Sequence, residues 1–248
     1  MASAKPIKEV IGRTPVYLFG DGEKAIICLH GFGGSKDAVL PFKDSLGFPD
    51  TIMVFPDAWG HGERAERDPL ELVRENPVNF ARMVKETGDD VRDIVSYLLT
   101  EKGVEKIGVI GFSMGGMIVF RAIAVEKRLS VAVAAGAGSV LEVFRKSPEI
   151  RKIFGIGCVD VLENDRVVRE ADVVFFAEKC PPTPLLLIGG RKDIIVPPES
   201  VFKAYEALEK AYKERGLADK LVLKMYDAGH EIKPGMMNDI RSWVRRWQ

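Results

Sequence analysis

The stretch KIGVIGFSMGG, residues 106–116, begins as an apolar run and ends with Ser113 among the glycines Gly111, Gly115 and Gly116. A glycine inside a strand or helix costs roughly 0.5–1 kcal/mol relative to alanine. Three glycines so close to one serine therefore predict a backbone turn that residues with side chains form poorly. The stretch predicts a buried strand that passes through a tight turn into a helix.

Segments with strand character and segments with helix character alternate along the rest of the chain. Several of the β-rich runs are apolar almost throughout, which is typical of parallel strands buried on both faces. The segments between them are amphipathic with a helical period. This alternation predicts an α/β fold with a mostly parallel sheet and helices on both faces. The predicted strands are 15–19, 24–30, 51–57, 106–112, 130–136, 183–190 and 221–227, and the predicted helices are 79–101, 114–126, 198–215 and 233–247.

One domain is predicted to span residues 1–248, because a chain of this length with 46% hydrophobic residues can bury one large core. The region at about 138–182 departs from the alternation. Its short helical segments are separated by glycine and proline. We predict that it forms a small helical cap inserted between two strands.

The overall charge argues against two classes of partner. Lys and Arg together number 36 and Asp and Glu together also number 36, so nothing attracts the chain to nucleic acid or to an anionic membrane. No apolar run approaches the length of about 18 residues that a membrane span needs. The N-terminus lacks the apolar core of a signal peptide, so we expect a cytoplasmic protein. The four Asn and one Gln are few beside the many charged residues, which favours a thermophilic source.

The three cysteines, Cys28, Cys158 and Cys180, lack the spacing of a metal site. Free thiols are the favoured interpretation in a cytoplasmic protein. A bridge between Cys158 and Cys180 stays open.

Ser113 is a candidate nucleophile because Gly111-Phe112-Ser113-Met114-Gly115 has the Gly-x-Ser-x-Gly spacing of a strained turn between strand and helix. A serine hydroxyl needs a base at neutral pH. His230 follows the last predicted strand, and Asp193 follows the strand before it, where a carboxylate can orient the imidazole. The order Ser113, Asp193, His230, each after its own strand, predicts that the three meet at one edge of the sheet.

A nucleophile that attacks a carbonyl also needs donors for the negatively charged oxygen. The Met114 amide directly follows Ser113 at the start of a helix. The Phe32 amide lies in the glycine-rich sequence HGFGG, residues 30–34, after an early strand. His30 in that sequence is interpreted as a structural brace.

The segment FPDAWGHGER, residues 55–64, also follows a predicted strand and is expected to open toward the same edge. Trp59 is a possible wall of the substrate pocket, with a structural role equally weighted. Arg64 is a candidate receptor for a carboxylate on the substrate. A structural role is favoured for His61 and Glu63.

Taken together, HGFGG, GFSMGG, GGRKDIIVP and DAGHEI closely resemble the motifs of the α/β-hydrolase family, in the family's order and over nearly the whole chain. The resemblance is to small carboxylesterases and to dienelactone-hydrolase-like or prolyl-oligopeptidase-like catalytic domains. It implies an eight-stranded sheet, a nucleophile at Ser113, an acid at Asp193, a base at His230 and oxyanion amides at Phe32 and Met114. A serine stands where dienelactone hydrolases usually carry cysteine. We expect no propeller domain, which argues against peptidase activity.

The expected function is that of a serine hydrolase that cleaves small carboxylic esters with short acyl groups, without a metal or organic cofactor. The short cap and the lack of a long apolar lid favour short acyl chains over lipids. A peptidase or thioesterase with the same three residues is the alternative, and a non-catalytic binding module is disfavoured because all three residues are present. The sequence does not indicate the oligomeric state.

Overall fold

The computed structural model describes residues 5–48, 50–155 and 158–248, and its centre is one eight-stranded sheet. The strand order is β1-β2-β4-β3-β5-β6-β7-β8. β2 pairs antiparallel with both β1 and β4, and all the other pairs are parallel. The strands are β1 (Ile7–Ile11), β2 (Thr14–Phe19), β3 (Lys24–Leu29), β4 (Thr51–Pro56), β5 (Lys106–Phe112), β6 (Leu129–Ala135), β7 (Leu185–Gly190) and β8 (Leu221–Tyr226).

Helices cover both faces of the sheet. Successive strand residues point to opposite faces, and in β3 this sends Ile27 and Leu29 into one apolar core and Ile26 and Cys28 into the other. The first core lies under α3, α4 and α9, and the second lies under α1 and α10. The helices are α1 (Leu40–Leu46), α2 (Pro69–Glu75), α3 (Val78–Glu101), α4 (Met114–Val125), α5 (Val140–Lys146), α6 (Pro148–Phe154), α7 (Cys158–Glu163), α8 (Arg166–Ala171), α9 (Pro198–Glu214) and α10 (Pro234–Trp247).

The predicted fold class, with eight strands in a mostly parallel sheet and helices on both faces, is confirmed. The seven strands predicted from local pattern correspond to β2 through β8 within a few residues. β1 was missed because it lies at the edge of the sheet and most of its side chains are exposed or half-buried. An edge strand of this kind lacks the apolar run that reveals a central strand.

The region between β6 and β7 contains the four short helices α5 to α8. Ser147 ends α5 and begins α6, where its hydroxyl accepts a hydrogen bond from the Ile150 amide. The buried carboxylate of Asp172 ties this region together by accepting from the Ser139 hydroxyl (2.7 Å) and the Leu141 amide (2.9 Å). Burial raises the pKa of Asp172. Short helices therefore occupy the region where the sequence predicted a helical cap, and their role as a cap stays a prediction.

Cys180 is a buried free thiol, so it does not form the bridge to Cys158 that the sequence left open. The side chain of Cys158 itself lies outside the described part of the structure. Among the described residues, none of the helices is long and apolar enough to cross a membrane.

Candidate active site

Ser113 occupies the sharp turn between β5 and α4, with φ 57° and ψ −124°. A positive φ at a residue with a side chain costs on the order of 1–3 kcal/mol and persists only where the surroundings hold it. Here the Ser113 amide donates to the Ala135 carbonyl of the neighbouring strand β6 (2.9 Å), and the Ser113 carbonyl accepts from the Gly116 amide (2.9 Å). The turn places Ser113 at the carboxyl end of the central strand.

Two glycines flank Ser113 because side chains have no room there. A Cβ atom at Gly111 would lie 2.1 Å from the carbonyl oxygen of Gly115. A Cβ atom at Gly115 would lie 2.3 Å from the carbonyl oxygen of Leu29. Both clashes are with backbone atoms, which cannot rotate aside as a side chain can. The Gly-x-Ser-x-Gly spacing is therefore a packing requirement of this turn.

His230, in the loop between β8 and α10, contacts both Ser113 and Asp193. Its Nε2 lies 2.9 Å from the Ser113 Oγ, and its Nδ1 lies 2.7 Å from the Asp193 Oδ2. Since a carboxylate only accepts hydrogen bonds, Nδ1 carries the proton and Nε2 accepts from the Ser113 hydroxyl. The Phe112 ring packs against the imidazole with 4.8 Å between ring centroids. His230 is thus held from two sides with Nε2 facing Ser113.

Asp193 follows β7, and its carboxylate is almost completely buried. One oxygen, Oδ1, accepts hydrogen bonds from the amides of Ile195 (2.9 Å) and Val196 (2.8 Å). The other oxygen, Oδ2, accepts from His230. Three donors fix the carboxylate, so it can in turn fix the orientation of the imidazole.

The loop at residues 31–34, between β3 and α1, lies beside Ser113. A Cβ atom at Gly31 would lie 3.9 Å from the Ser113 Oγ. The Gly34 amide donates to the Gly31 carbonyl (3.1 Å), and Gly33 has φ 73°, so the loop forms a tight turn. In the described part of the chain, the amides of Phe32 and Met114 have no hydrogen-bond partner. Both are therefore free to donate to a group bound at Ser113.

Two buried histidines, His30 and His61, brace this loop. His30 Nδ1 donates to the Gly31 carbonyl (2.8 Å), and its Nε2 accepts from the Ala58 amide (3.0 Å). His61 Nε2 accepts from the Gly33 amide (3.0 Å), and its Nδ1 donates to the Trp59 carbonyl (3.1 Å). Burial lowers the pKa of both, to about 4 for His61. Both imidazoles are therefore neutral at pH 7, which lets each accept a hydrogen bond from a backbone amide.

Lys36 is a positioning residue that the sequence did not reveal. Its side chain is 3% exposed, and its Nζ lies 2.6 Å from both Asp57 Oδ2 and Glu63 Oε1. Burial alone would lower the pKa of Lys36, but hydrogen bonds to the two carboxylates outweigh it and raise the pKa. The two ion pairs connect Lys36, two residues after loop 31–34, to the segment that carries His61. Lysine is rarely buried, so no pattern in the sequence distinguishes Lys36 from a surface residue.

Arg64 does not have the role that the sequence predicted for it in a substrate pocket. The Arg64 guanidinium donates to the Asp90 carboxylate (2.7 Å) and to the Asp57 carbonyl (3.3 Å), and its side chain is 8% exposed. It is committed to this ion pair and cannot receive a substrate carboxylate, so the prediction for Arg64 was wrong. Trp59 is half-buried beneath the guanidinium of Arg82, and its place as a wall of the substrate pocket stays a prediction.

The arrangement places a hydroxyl, an imidazole and a carboxylate in one hydrogen-bonded chain beside two unpaired amides. Such a site can transfer the hydroxyl proton to the imidazole and stabilise negative charge next to the serine. Within the described ranges, no group of three or more His, Cys, Asp or Glu side chains could hold a metal ion.

Comparison with known proteins agrees with this fold. A family model described as "alpha/beta hydrolase fold" matches residues 24–155, more than half of the chain. The chain therefore belongs to the alpha/beta hydrolase fold family. The match covers the loop at 31–34 and Ser113 but ends before Asp193 and His230.

Individual relatives extend the likeness over most of the chain. The putative esterase YitV of Bacillus subtilis is 26% identical over 198 residues, which is 77% of this chain and 76% of that protein. The Thermus thermophilus protein TT1662 is 20% identical with a TM-score of 0.73, and 98% of this chain and 97% of that chain are covered. The Pyrococcus furiosus esterase Pf2001 is also 20% identical, with a TM-score of 0.65 over 98% and 92%. At these identities the two structures establish a shared fold.

Proposed function

We propose that this hydrolase cleaves carboxylic esters of small molecules and that Ser113 is its nucleophile. The observation that carries the proposal is the continuous hydrogen-bond chain from Ser113 Oγ through His230 to Asp193, with distances of 2.9 and 2.7 Å. The names of the relatives, which include a putative esterase and an esterase, support the same class of substrate.

In the first half of the reaction, Ser113 Oγ forms a bond to the acyl carbon while its proton moves to His230 Nε2. The bond to the alcohol oxygen then breaks, and the alcohol leaves with that proton. In the second half, His230 takes a proton from water, and the resulting hydroxide attacks the acyl carbon. The acid is released and Ser113 recovers its proton. Asp193 stabilises the imidazolium and holds its orientation throughout.

The amides of Phe32 and Met114 act as the oxyanion donors in this proposal. Each such donor contributes about 3–4 kcal/mol to transition-state stabilisation. Their lack of other partners among the described residues supports the assignment. His30, His61 and Lys36 act indirectly by holding loop 31–34 in position.

The acyl group is proposed to be short rather than a long lipid chain, because the helices of the insertion are only six or seven residues long. The same three residues could cleave peptides or thioesters, so one experiment compares these substrates with esters. A non-catalytic binding role is the further rival.

The test is hydrolysis of nitrophenyl acetate, butanoate and octanoate, a thioester and a peptide anilide by the wild type, Ser113→Ala and Ser130→Ala. Ser130 is a matched control. It lies at the start of β6, where its hydroxyl donates to the Ile107 carbonyl of β5, whereas Ser113 contacts Ala135 at the other end of β6. We expect Ser113→Ala to lose ester hydrolysis by a factor on the order of 10⁵ or more, and Ser130→Ala to keep it. Equal rates for wild type and Ser113→Ala would refute the nucleophile. Faster hydrolysis of the thioester or the anilide than of the esters would show that esters are not the preferred substrates.

A further inference from the structure

An apolar cavity of about 270 Å³ lies beneath loop 31–34, between the sheet and the helices α1 and α10. Its floor on the sheet side includes Cys28 of β3 and Ile110 of β5, which are paired in the parallel register. Met237 and Ile240, one turn apart on α10, and Leu46 of α1 form the opposite walls.

One end of the cavity lies beside the candidate active site. Gly31, which borders the Ser113 Oγ, and Phe112, which packs against His230, both line it. Ile110 and Phe112 lie two residues apart on β5 and face the same side of the sheet. At a rise of about 3.3 Å per residue, the cavity extends roughly 7 Å below the edge of the sheet. It therefore runs into the interior from beside two residues that contact Ser113 and His230.

The walls of the cavity offer almost no polar group to a ligand. His30 is the one polar side chain in the described lining, and both of its ring nitrogens are bonded to the protein backbone. Burial raises the pKa of the Cys28 thiol, so it stays uncharged. A bound water needs two to four polar partners. The cavity therefore suits a hydrocarbon chain better than water or a polar group.

We propose that this cavity, which we name the α1/α10 pocket, binds the acyl chain of an unbranched aliphatic ester and sets its maximum length. The inference rests on the proposed function, because it places the acyl carbon on Ser113. The acyl group remains bonded to Ser113 after the first half of the reaction, whereas the alcohol must take a proton from His230 and leave. A pocket with a buried end suits the group that stays.

The volume of the pocket limits the chain. One water molecule in the liquid occupies about 30 Å³, and at that volume for each carbon 270 Å³ holds roughly nine carbon atoms. Acyl groups up to about octanoyl therefore fit, and longer chains do not. Each methylene that enters the pocket is worth roughly a threefold to fourfold gain in kcat/KM.

Two substitutions test the pocket in opposite directions. Cys28→Leu adds carbon atoms at the buried end, and Ile240→Ala removes three carbons from the opposite wall. Ile94→Ala is the matched control, because Ile94 is an equally buried helical isoleucine on the other face of the sheet. We measure kcat/KM for nitrophenyl esters from acetate to dodecanoate, which gives the octanoate-to-acetate ratio and the preferred acyl length. Thermal unfolding is measured for each variant.

We expect Cys28→Leu to lower this ratio by roughly tenfold, since it excludes about two methylenes. We expect Ile240→Ala to shift the preferred acyl length upward by two or three carbons, and Ile94→Ala to keep the wild-type ratio. If Cys28→Leu does not fold, the shift in Ile240→Ala decides the matter alone.

An unchanged octanoate-to-acetate ratio in an active Cys28→Leu enzyme, or an unchanged preferred acyl length in an active Ile240→Ala enzyme, would overturn the pocket and leave the proposed function standing. A second series consists of acetate esters with alcohols of increasing length. If the variants change kcat/KM only in that series, the pocket is likewise overturned and the proposed function stands. If the wild type cleaves no ester, the proposed function fails instead. Calorimetric binding of octanoate then decides the pocket: binding weakened by Cys28→Leu supports it, and no binding to the wild type overturns it.

Discussion

The three histidines of this chain fall into two environments at the same edge of the sheet. His30 and His61 are completely buried, and all four of their ring nitrogens bond to backbone groups. The His230 side chain is 15% exposed, and its ring nitrogens bond to the side chains of Ser113 and Asp193. The residue type is the same, but its partners differ.

The partners of each histidine determine whether it can only hold a loop in place or can also accept a proton. A neutral imidazole bonded to two backbone groups has no spare lone pair or proton, so it can only hold a loop in place. An imidazole between a carboxylate and a hydroxyl can accept the hydroxyl proton and remain stabilised. Substitutions around His230 should therefore reduce activity, whereas substitutions around His30 and His61 should reduce folding stability.

The largest expected effect is on the His230 side of this comparison. Asp193→Asn removes the carboxylate that orients His230, and it should lower kcat for nitrophenyl acetate by roughly 10⁴-fold. KM should change much less, since Asp193 is buried away from substrate. Steady-state kinetics and a thermal unfolding curve measure both properties. A wild-type kcat in a folded Asp193→Asn enzyme would show that His230 acts without this partner.

Lys36→Met tests the residues that hold loop 31–34 in place. It leaves Asp57 buried without its cation, and breaking a buried ion pair in this way costs roughly 3–5 kcal/mol of unfolding free energy. Urea unfolding measures the loss. Arg166→Met is the control, because the Arg166–Glu170 pair has a 91% exposed guanidinium and should contribute under about 0.5 kcal/mol. Equal stabilities for the two variants would mean that Lys36 does not hold the loop.

The bracing histidines should also make folding sensitive to acid. Burial lowers the pKa of His61 from 6.5 to about 4 in the folded protein, so the unfolded chain binds a proton more readily. The resulting stabilisation is complete above pH 6.5 and is lost as the pH falls toward 4, by about 3 kcal/mol. Urea unfolding from pH 8 to pH 4 should show this slope, and His61→Gln should flatten it. An identical slope in His61→Gln would assign the acid sensitivity to other groups.

The smallest expected effect concerns the contact between Phe112 and His230. Phe112→Leu removes a ring pair worth about 0.5–1.5 kcal/mol, so kcat for nitrophenyl acetate should fall by roughly twofold to tenfold. The short acetate group keeps the α1/α10 pocket out of this measurement. Phe175→Leu, which changes a surface ring far along the chain, should leave kcat unaltered. Matching kcat values for the two variants would mean that the ring does not position His230.

Much of the fold could be read from the sequence because the central strands are apolar on both faces. Strands β3 to β7 appeared as uninterrupted apolar runs, whereas β1, half-exposed at the edge, did not. Ser113, Asp193 and His230 were found because each directly follows a strand. Arg64 was misassigned since nothing local to it shows that Asp90, 26 residues away, neutralises it. The cytoplasmic location and thermophilic source stay predictions.

The sequence by itself determined the alternation of strands and helices, the strained turn at Ser113 and the chain order of the three polar residues, because these depend on local pattern and on which residues tolerate a given backbone. Only the tertiary structure decided which partner each polar group has. The neutral state of His61, the burial of Lys36 and the α1/α10 pocket all arise from segments distant in sequence. Such contacts depend on how helices and loops pack against the sheet, and no local pattern encodes them.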